Sequence, residues 1–217
     1  MIVKERMSHP VKTVFPETSV VEALKRMDKE HINRFPVIDS HNGKMIGIVS
    51  KNDLLKASPS SATTLSQWEI TSLVEKIRVK DVMQKDPITI TEDTVVEEAA
   101  RIMVDEDVNG LPVMRGKELV GIITDGDIFT ILMEMLGARN KGMRMCVETE
   151  EKEGVLFHLT KAIFEAGGNI VSMSTFMGES TSSREIVFKV VNIKEAELRK
   201  IIQPFVKEVL YVHHFSV

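Results

Sequence analysis

Apolar residues in the first 137 positions form short branched runs between amphipathic stretches, and the same order occurs twice. Residues 11–15 (VKTVF) and 87–91 (PITIT) alternate as short strands. Ser19-x-x-Glu22 and Thr94-x-x-Glu97 then carry the capping-box signature of a helix start. Val21, Leu24 and Met27 give the first helix its apolar face, and Val96, Ala100 and Met103 the second. The runs FPVID (35–39) with MIGIVS (45–50), and LPVM (111–114) with LVGIIT (119–124), flank turns and read as paired strands. Each unit closes on a helix, DLLKA (53–57) or DIFTILMEML (127–136). Between the units, 58–64 is polar and turn-rich, and 65–76 turns helical with Trp68 on its buried side.

After Gly137 the pattern changes. Residues 143–150 alternate as a strand, and 155–168 place Leu156, Leu159, Ile163 and Ala166 on one helical face closed by Gly167-Gly168. Strands at 169–176 and 183–191, a helix at 194–206 with Pro204 near its end, and a last strand at 210–217 complete the order strand-helix-strand-strand-helix-strand. That is the ferredoxin-like split βαβ arrangement. The fold class is α+β: a duplicated β-α-β-β-α unit followed by a βαββαβ domain. The predicted boundaries are 1–60 for the first motif, 61–137 for a linker helix with the second, and 138–217 for the last domain.

The duplication is explicit in residues. Met27-x5-Asn33-x2-Pro36-Val37 returns as Met103-x5-Asn109-x2-Pro112-Val113, displaced by 76 positions, and Thr13-Val14 returns as Thr89-Ile90. Gly47-Ile-Val-Ser50-Lys-Asn-Asp53 returns as Gly121-Ile-Ile-Thr124-Asp-Gly-Asp127, displaced by 74, the difference falling in a turn.

Composition narrows the function classes. A net charge of −4 argues against a nucleic-acid partner. The single cysteine, Cys146, excludes an intrachain disulfide and fits a reducing cytoplasm. No apolar run reaches bilayer length, so no membrane partner is expected. His213 and His214 point to opposite faces of a strand, and His9, His31, His41 and His158 lack metal-ligand spacing, so no metal site is expected. Met27, Met103, Met133 and Met135 lie on helical apolar faces and are assigned to core packing. No phosphate-loop, dinucleotide or nucleophile-elbow signature occurs.

Ser50-x-x-Asp53 and Thr124-x-x-Asp127 sit where strand gives way to helix. As structure they are helix caps. As chemistry the same geometry attracts phosphate to free amides and a hydroxyl, and offers a carboxylate to ribose hydroxyls. The two halves resemble cystathionine-β-synthase-type (CBS) motifs over about residues 1–135: a Thr-Val-type first strand, a Pro-Val-type second strand, and Gly followed by three apolar positions and [Ser/Thr]-x-x-Asp. The resemblance implies two pseudo-symmetric clefts for adenosine-containing regulatory ligands such as AMP, ADP, ATP or S-adenosylmethionine. It places Thr13, Val37, Ser50, Lys51, Asp53, Thr89, Val113, Thr124 and Asp127 as ligand residues, with no catalytic residue and no required cofactor. Lys51 in one cleft faces phosphate favourably, whereas its counterpart Asp125 opposes it. The first cleft is therefore expected to take the more phosphorylated ligand.

Residues 151–156 (Glu151-Lys-Glu-Gly154-Val-Leu156) and 166–170 (Ala166-Gly-Gly168-Asn169-Ile170) resemble the ACT domain, which implies an amino-acid ligand at a dimer interface. Gly154 is equally read as a tight strand-to-helix turn. A CBS pair followed by one ACT domain is similar to the acetoin-utilisation protein B family, which implies a cytoplasmic, homodimeric ligand sensor acting on an unknown regulated protein. An interaction scaffold with empty clefts is the alternative. A metal-dependent enzyme built on Asp125 and Asp127 lacks a nucleophile and further ligands.

Overall fold

The computed structural model describes residues 1–57 and 76–216. The predicted polar turn and nearly all of the Trp68 helix lie outside the described residues. The chain forms two compact units, Met1–Ile128 and Phe129–Val217.

In the first unit the two repeats build three-stranded sheets on the same antiparallel pair, with the third strand on opposite edges. β1 (Arg34–Ile38) pairs antiparallel with β2 (Met45–Ser50), and β2 with the short β3 (Gln84–Lys85). β4 (Ile90–Thr91) lies parallel to β5 (Gly110–Arg115), which pairs antiparallel with β6 (Glu118–Thr124). Helices α1 (Val20–Glu30) and α2 (Lys51–Lys56) belong to the first repeat, the single turn α3 (Val79–Val82) precedes β3, and α4 (Val96–Asp105) and α5 (Asp125–Met135) belong to the second. The strand expected over 11–15 contracts to one parallel bridge, Val14 to Val37.

Each sheet is completed by the segment that precedes the other repeat. Ser8 bridges Ile122 on β6, and 76 positions later Gln84 bridges Ile48 on β2. Ile2 bridges Val95 just as Arg78 bridges Ser19. Val3, fully buried, packs with Ala99, Met103, Leu111, Val113 and Ile123 of the second repeat. Val79, equally buried, packs with Val20, Met27, Phe35, Val49 and Leu54 of the first. Residues 1–8 therefore complete the second repeat, and 78–85 the first, so neither repeat is contiguous in the chain. The crossing explains two glycines: Gly47 and Gly121 lie directly under Met83 and Met7, one methionine from each exchanged arm.

The caps hold at one helix and shift at the other. Ser19 accepts the Glu22 amide at 3.2 Å, as its spacing predicts. Thr94 does not cap α4; Val95 occupies that position with no side-chain bond. Thr94 instead accepts the Thr91 amide at 3.2 Å, repeating the bond of Thr18 with the Phe15 amide at 3.3 Å. Both hydroxyls close the turn before a helix, one residue ahead of the cap.

In the second unit, β7 (Gly142–Glu150), α6 (Val155–Glu165), β8 (Asn169–Met177), β9 (Ser183–Val191), α7 (Glu195–Ile202) and β10 (Glu208–Phe215) follow the predicted order, with a 3₁₀ turn at Gln203–Phe205. The sheet runs β10-β7-β9-β8, all neighbours antiparallel, which is the split βαβ topology. Met145, Val147, Ile186 and Phe188 face Leu159, Ile163, Leu198 and Ile202 in its core. Leu156 does not join that face and is exposed; the first turn contributes Val155 instead. Met133 and Met135 are 40% and 61% exposed, against the core role expected of them, and Ile131 is the buried residue of α5. The unit also buries a lysine. Lys189, 1% exposed, donates to the carbonyls of Gly137 and Asn140 at 2.8 Å each, and its ammonium lies 4.0 Å from the Phe215 ring centre.

A Cβ at residue 47 would stand 2.7 Å from the Gln84 carbonyl, whereas at 121 it would meet only the Met7 side chain. Gly47→Ala is therefore expected to cost about 1–3 kcal/mol and Gly121→Ala less. Urea denaturation of both variants measures the difference, and Met7→Ala should offset the second substitution but not the first.

Candidate functional site

The repeat places each motif hydroxyl on the last residue of a strand and its aspartate in the first turn of the following helix. Ser50 donates its hydroxyl and its amide to Asp53 Oδ2, at 2.6 and 2.9 Å, and accepts the Asp53 amide at 3.2 Å. Thr124 donates its hydroxyl and amide to Asp127 Oδ2, both at 2.8 Å. Both pairs are half-buried. In each, the cap uses one carboxylate oxygen; among the described residues Oδ1 accepts no hydrogen bond. A helix cap thus fixes the aspartate in orientation and leaves half of its accepting capacity over.

The residues between hydroxyl and carboxylate differ. Lys51 Nζ pairs with Asp28 of α1 at 2.6 Å, its amide donating to the Asn33 carbonyl. Asp125 repeats the amide bond, to the Asn109 carbonyl at 3.1 Å, but its carboxylate accepts from Asn109 Nδ2 at 3.1 Å. The Lys51 pair is solvent-exposed and holds the ammonium only weakly.

The remaining candidates differ in what they can offer a ligand. Val37 and Val113 are fully buried in the two cores, so their side chains serve packing and only their main chain can face a ligand. Thr13 is half-buried, with its carbonyl bound by Arg26 Nη2 at 3.1 Å; Thr89 is exposed. Thr13 alone of the nine lines a cleft of about 790 Å³ that also draws on Val11 and Ile38 of the first repeat, Leu119 and Val120 of the second, and Met7 of the arm.

One edge of that cleft holds charges that motif reading missed. Glu92, 9% exposed, accepts two bonds from Arg115, at 2.6 and 2.8 Å, with Lys4 at 3.4 Å. The paired guanidinium holds its carboxyl down to about 2, against the opposing effect of burial. Lys4 arrives on the exchanged arm. Val3-Lys4-x2-Met7 recurs as Val79-Lys80-x2-Met83, a repeat legible in the sequence but short and free of chemically distinctive residues.

The second unit has a smaller pocket, about 330 Å³, at the start of α6. Gly154 precedes that helix at φ +82°, a conformation that favours glycine, so the turn accounts for it. Glu151 beside it forms a two-point ion pair with Arg184, one contact at 2.9 Å. His214 bonds Glu195 at 2.9 Å, His158 stacks on Phe205, and burial pushes the Cys146 thiol pKa up. No cluster of three potential metal ligands occurs among the described residues, and no helix there is long and apolar enough to cross a membrane.

The CBS domain matches this chain twice, at residues 3–60 and 79–134, more than half of its length. The chain belongs to the CBS-domain family. Three solved CBS structures show the breadth of the likeness. The Vibrio cholerae protein assigned to acetoin utilization (AcuB) is 29% identical, with a TM-score of 0.53, over 64% of this chain and 95% of that one. The CBS domain pair of protein MJ0100, solved with 5′-methylthioadenosine and S-adenosyl-L-methionine, is 29% identical with a TM-score of 0.51, over 64% and 98%. CBSX2 of Arabidopsis thaliana in complex with AMP is 30% identical with a TM-score of 0.51, over 61% and 96%. The CBS match begins at Val3 and resumes at Val79, the two exchanged valines.

Because Glu92 is held well below the ordinary glutamate value, its ion pairs stabilise the fold above about pH 4.5. That contribution is lost as pH falls toward about 2. Glu92→Gln is expected to lower the melting temperature at pH 6, with the gap to the unmodified protein closing toward pH 2 in a calorimetric pH series.

Proposed function

We propose that this protein is a regulatory sensor of adenosine-containing ligands, with no catalytic role. The observation that carries this reading is the pair of half-used carboxylates. Asp53 and Asp127 are each locked by a cap through Oδ2, leaving Oδ1 to accept from ribose hydroxyls. The strand-end hydroxyls and the helix-start amides beside them suit a phosphate or another polar ligand tail. Thr13 and Thr89, beside the short first strand of each repeat, and the main chain of Val37 and Val113 are assigned to the adenine. Lys51 exchanges Asp28 for phosphate in the first cleft, while Asp125 disfavours phosphate in the second. ADP or ATP, the more phosphorylated ligands, then suit the Ser50–Asp53 side best, and adenosine, AMP or S-adenosylmethionine the Thr124–Asp127 side. The ligands bound by MJ0100 and CBSX2 support this ligand class.

The second unit is read as an ACT-type module, supported by its strand order and by Gly154 beside the 330 Å³ pocket. Glu151 and Arg184 there have the charges to take an amino acid's ammonium and carboxylate. Phe129, Leu132, Met133 and Met135 leave an apolar face on α5 that a second copy would cover, which supports a homodimer whose geometry reports ligand occupancy. The likeness to the Vibrio cholerae protein favours a role in acetoin or energy metabolism, in the cytoplasm.

Isothermal titration calorimetry with AMP, ATP and S-adenosylmethionine tests the sensor reading. Removing a charged hydrogen-bond acceptor is worth roughly 1.5–3 kcal/mol, so Asp53→Ala and Asp127→Ala should each weaken one class of ligand about tenfold or more. If neither substitution weakens any adenine ligand, the reading fails.

A further inference from the structure

Arg34 opens β1, and its counterpart 76 positions on, at the opening of β5, is Gly110. The two positions meet inside the first unit. Arg34 Nη1 donates to the carbonyl of Asn109, and a Cβ at residue 110 would stand 2.5 Å from that nitrogen and 3.0 Å from Arg34 Cδ. Equivalent positions of a duplicated pair face each other here, and there is room for one side chain. The glycine is what admits the arginine.

The guanidinium is short of partners. It is half-buried, its bonded acceptor is a neutral carbonyl, and among the described residues no carboxylate lies within salt-bridge distance. Asp125 and Asp53 both act on its charge from a distance, yet burial outweighs them and draws its pKa down. A partly desolvated cation with unused donors is an unfavourable arrangement that an anion would relieve. The two carboxylates that sense it come from the two helix starts. Asp53 is the capping aspartate of the first, and Asp125 opens α5 two residues before Asp127, held by the side chain of the same Asn109.

We propose that Arg34 is a single anion-binding group shared by both clefts, so that the pair holds one phosphorylated ligand at a time and takes a ligand without phosphate on the other side. The proposal rests on the adenosine-sensor reading and adds its stoichiometry and selectivity. A guanidinium grips one phosphate through its planar fork, and the repeat supplies no second one because residue 110 is glycine. The first side is favoured for the phosphate, since Lys51 stands there where Asp125 stands on the other.

Titrating the full chain separately with adenosine and with AMP tests both layers. Two adenosine molecules are expected per chain, but one AMP, with any second AMP at least about tenfold weaker. Arg34→Met should cut AMP affinity about tenfold or more while leaving adenosine unchanged, with Arg34→Lys between them. A merely structural arginine would lower both ligands together. Two AMP molecules of equal affinity, or an unaltered AMP-to-adenosine ratio in Arg34→Met, overturns the shared-arginine proposal and leaves the sensor reading standing. If neither adenosine nor AMP binds, both fall together.

Discussion

The first unit depends on the exchange of its two arms. A three-stranded sheet with one helical face is a small core, and burial of Val3 and Val79 completes each one with a residue from outside its own repeat. Burying a valine side chain contributes about 1.5–3 kcal/mol, and both arms add main-chain bridges to a sheet edge. Through these crossings the positions of the caps, the arginine at the pseudo-dyad and the cleft beneath Met7 are fixed relative to one another. The same exchange dictates two glycines, since each methionine lies where a Cβ would otherwise stand.

Much of this was legible in residues. The strand-turn-strand runs, the helix starts at Ser19, Ser50 and Thr124, and the order of the C-terminal elements follow from local periodicity and capping chemistry, which the surrounding packing does not override. The arms were not read, because the signal that repeats there is two valines, two lysines and two methionines, residues that any core could use. Thr94 misled for a different reason. A hydroxyl one residue ahead of a cap has the same local spacing options, and the turn at Thr91 claims it. Met133 and Met135 show the limit of periodicity. It finds the apolar face of a helix but does not say whether the same chain covers it.

Cap and ligand readings of Ser50–Asp53 and Thr124–Asp127 cease to compete once the carboxylates are seen atom by atom. A carboxylate has more accepting capacity than a cap consumes, so a residue spent on stability still has an oxygen to offer. The asymmetry of the module is then carried by a few charges laid on a nearly symmetric frame: Lys51 against Asp125, Arg34 against Gly110, and the Glu92–Arg115–Lys4 network on one cleft edge. Duplication supplied the geometry, and single substitutions differentiated its halves.

Lys189 shows another way of fixing a chain. Its ammonium is held by two oxygens of the main chain, at Gly137 and Asn140, and by the Phe215 ring, rather than by an acidic side chain. Such a peg responds to the path of the backbone and is indifferent to what the side chains are. Gly137 is restricted by its φ of +60°, whereas the side chains of residues 138–140 are exposed and take no part in the bonds to the lysine. A lysine some fifty positions away in the chain thus constrains the path of this segment through its carbonyls and not through its side chains.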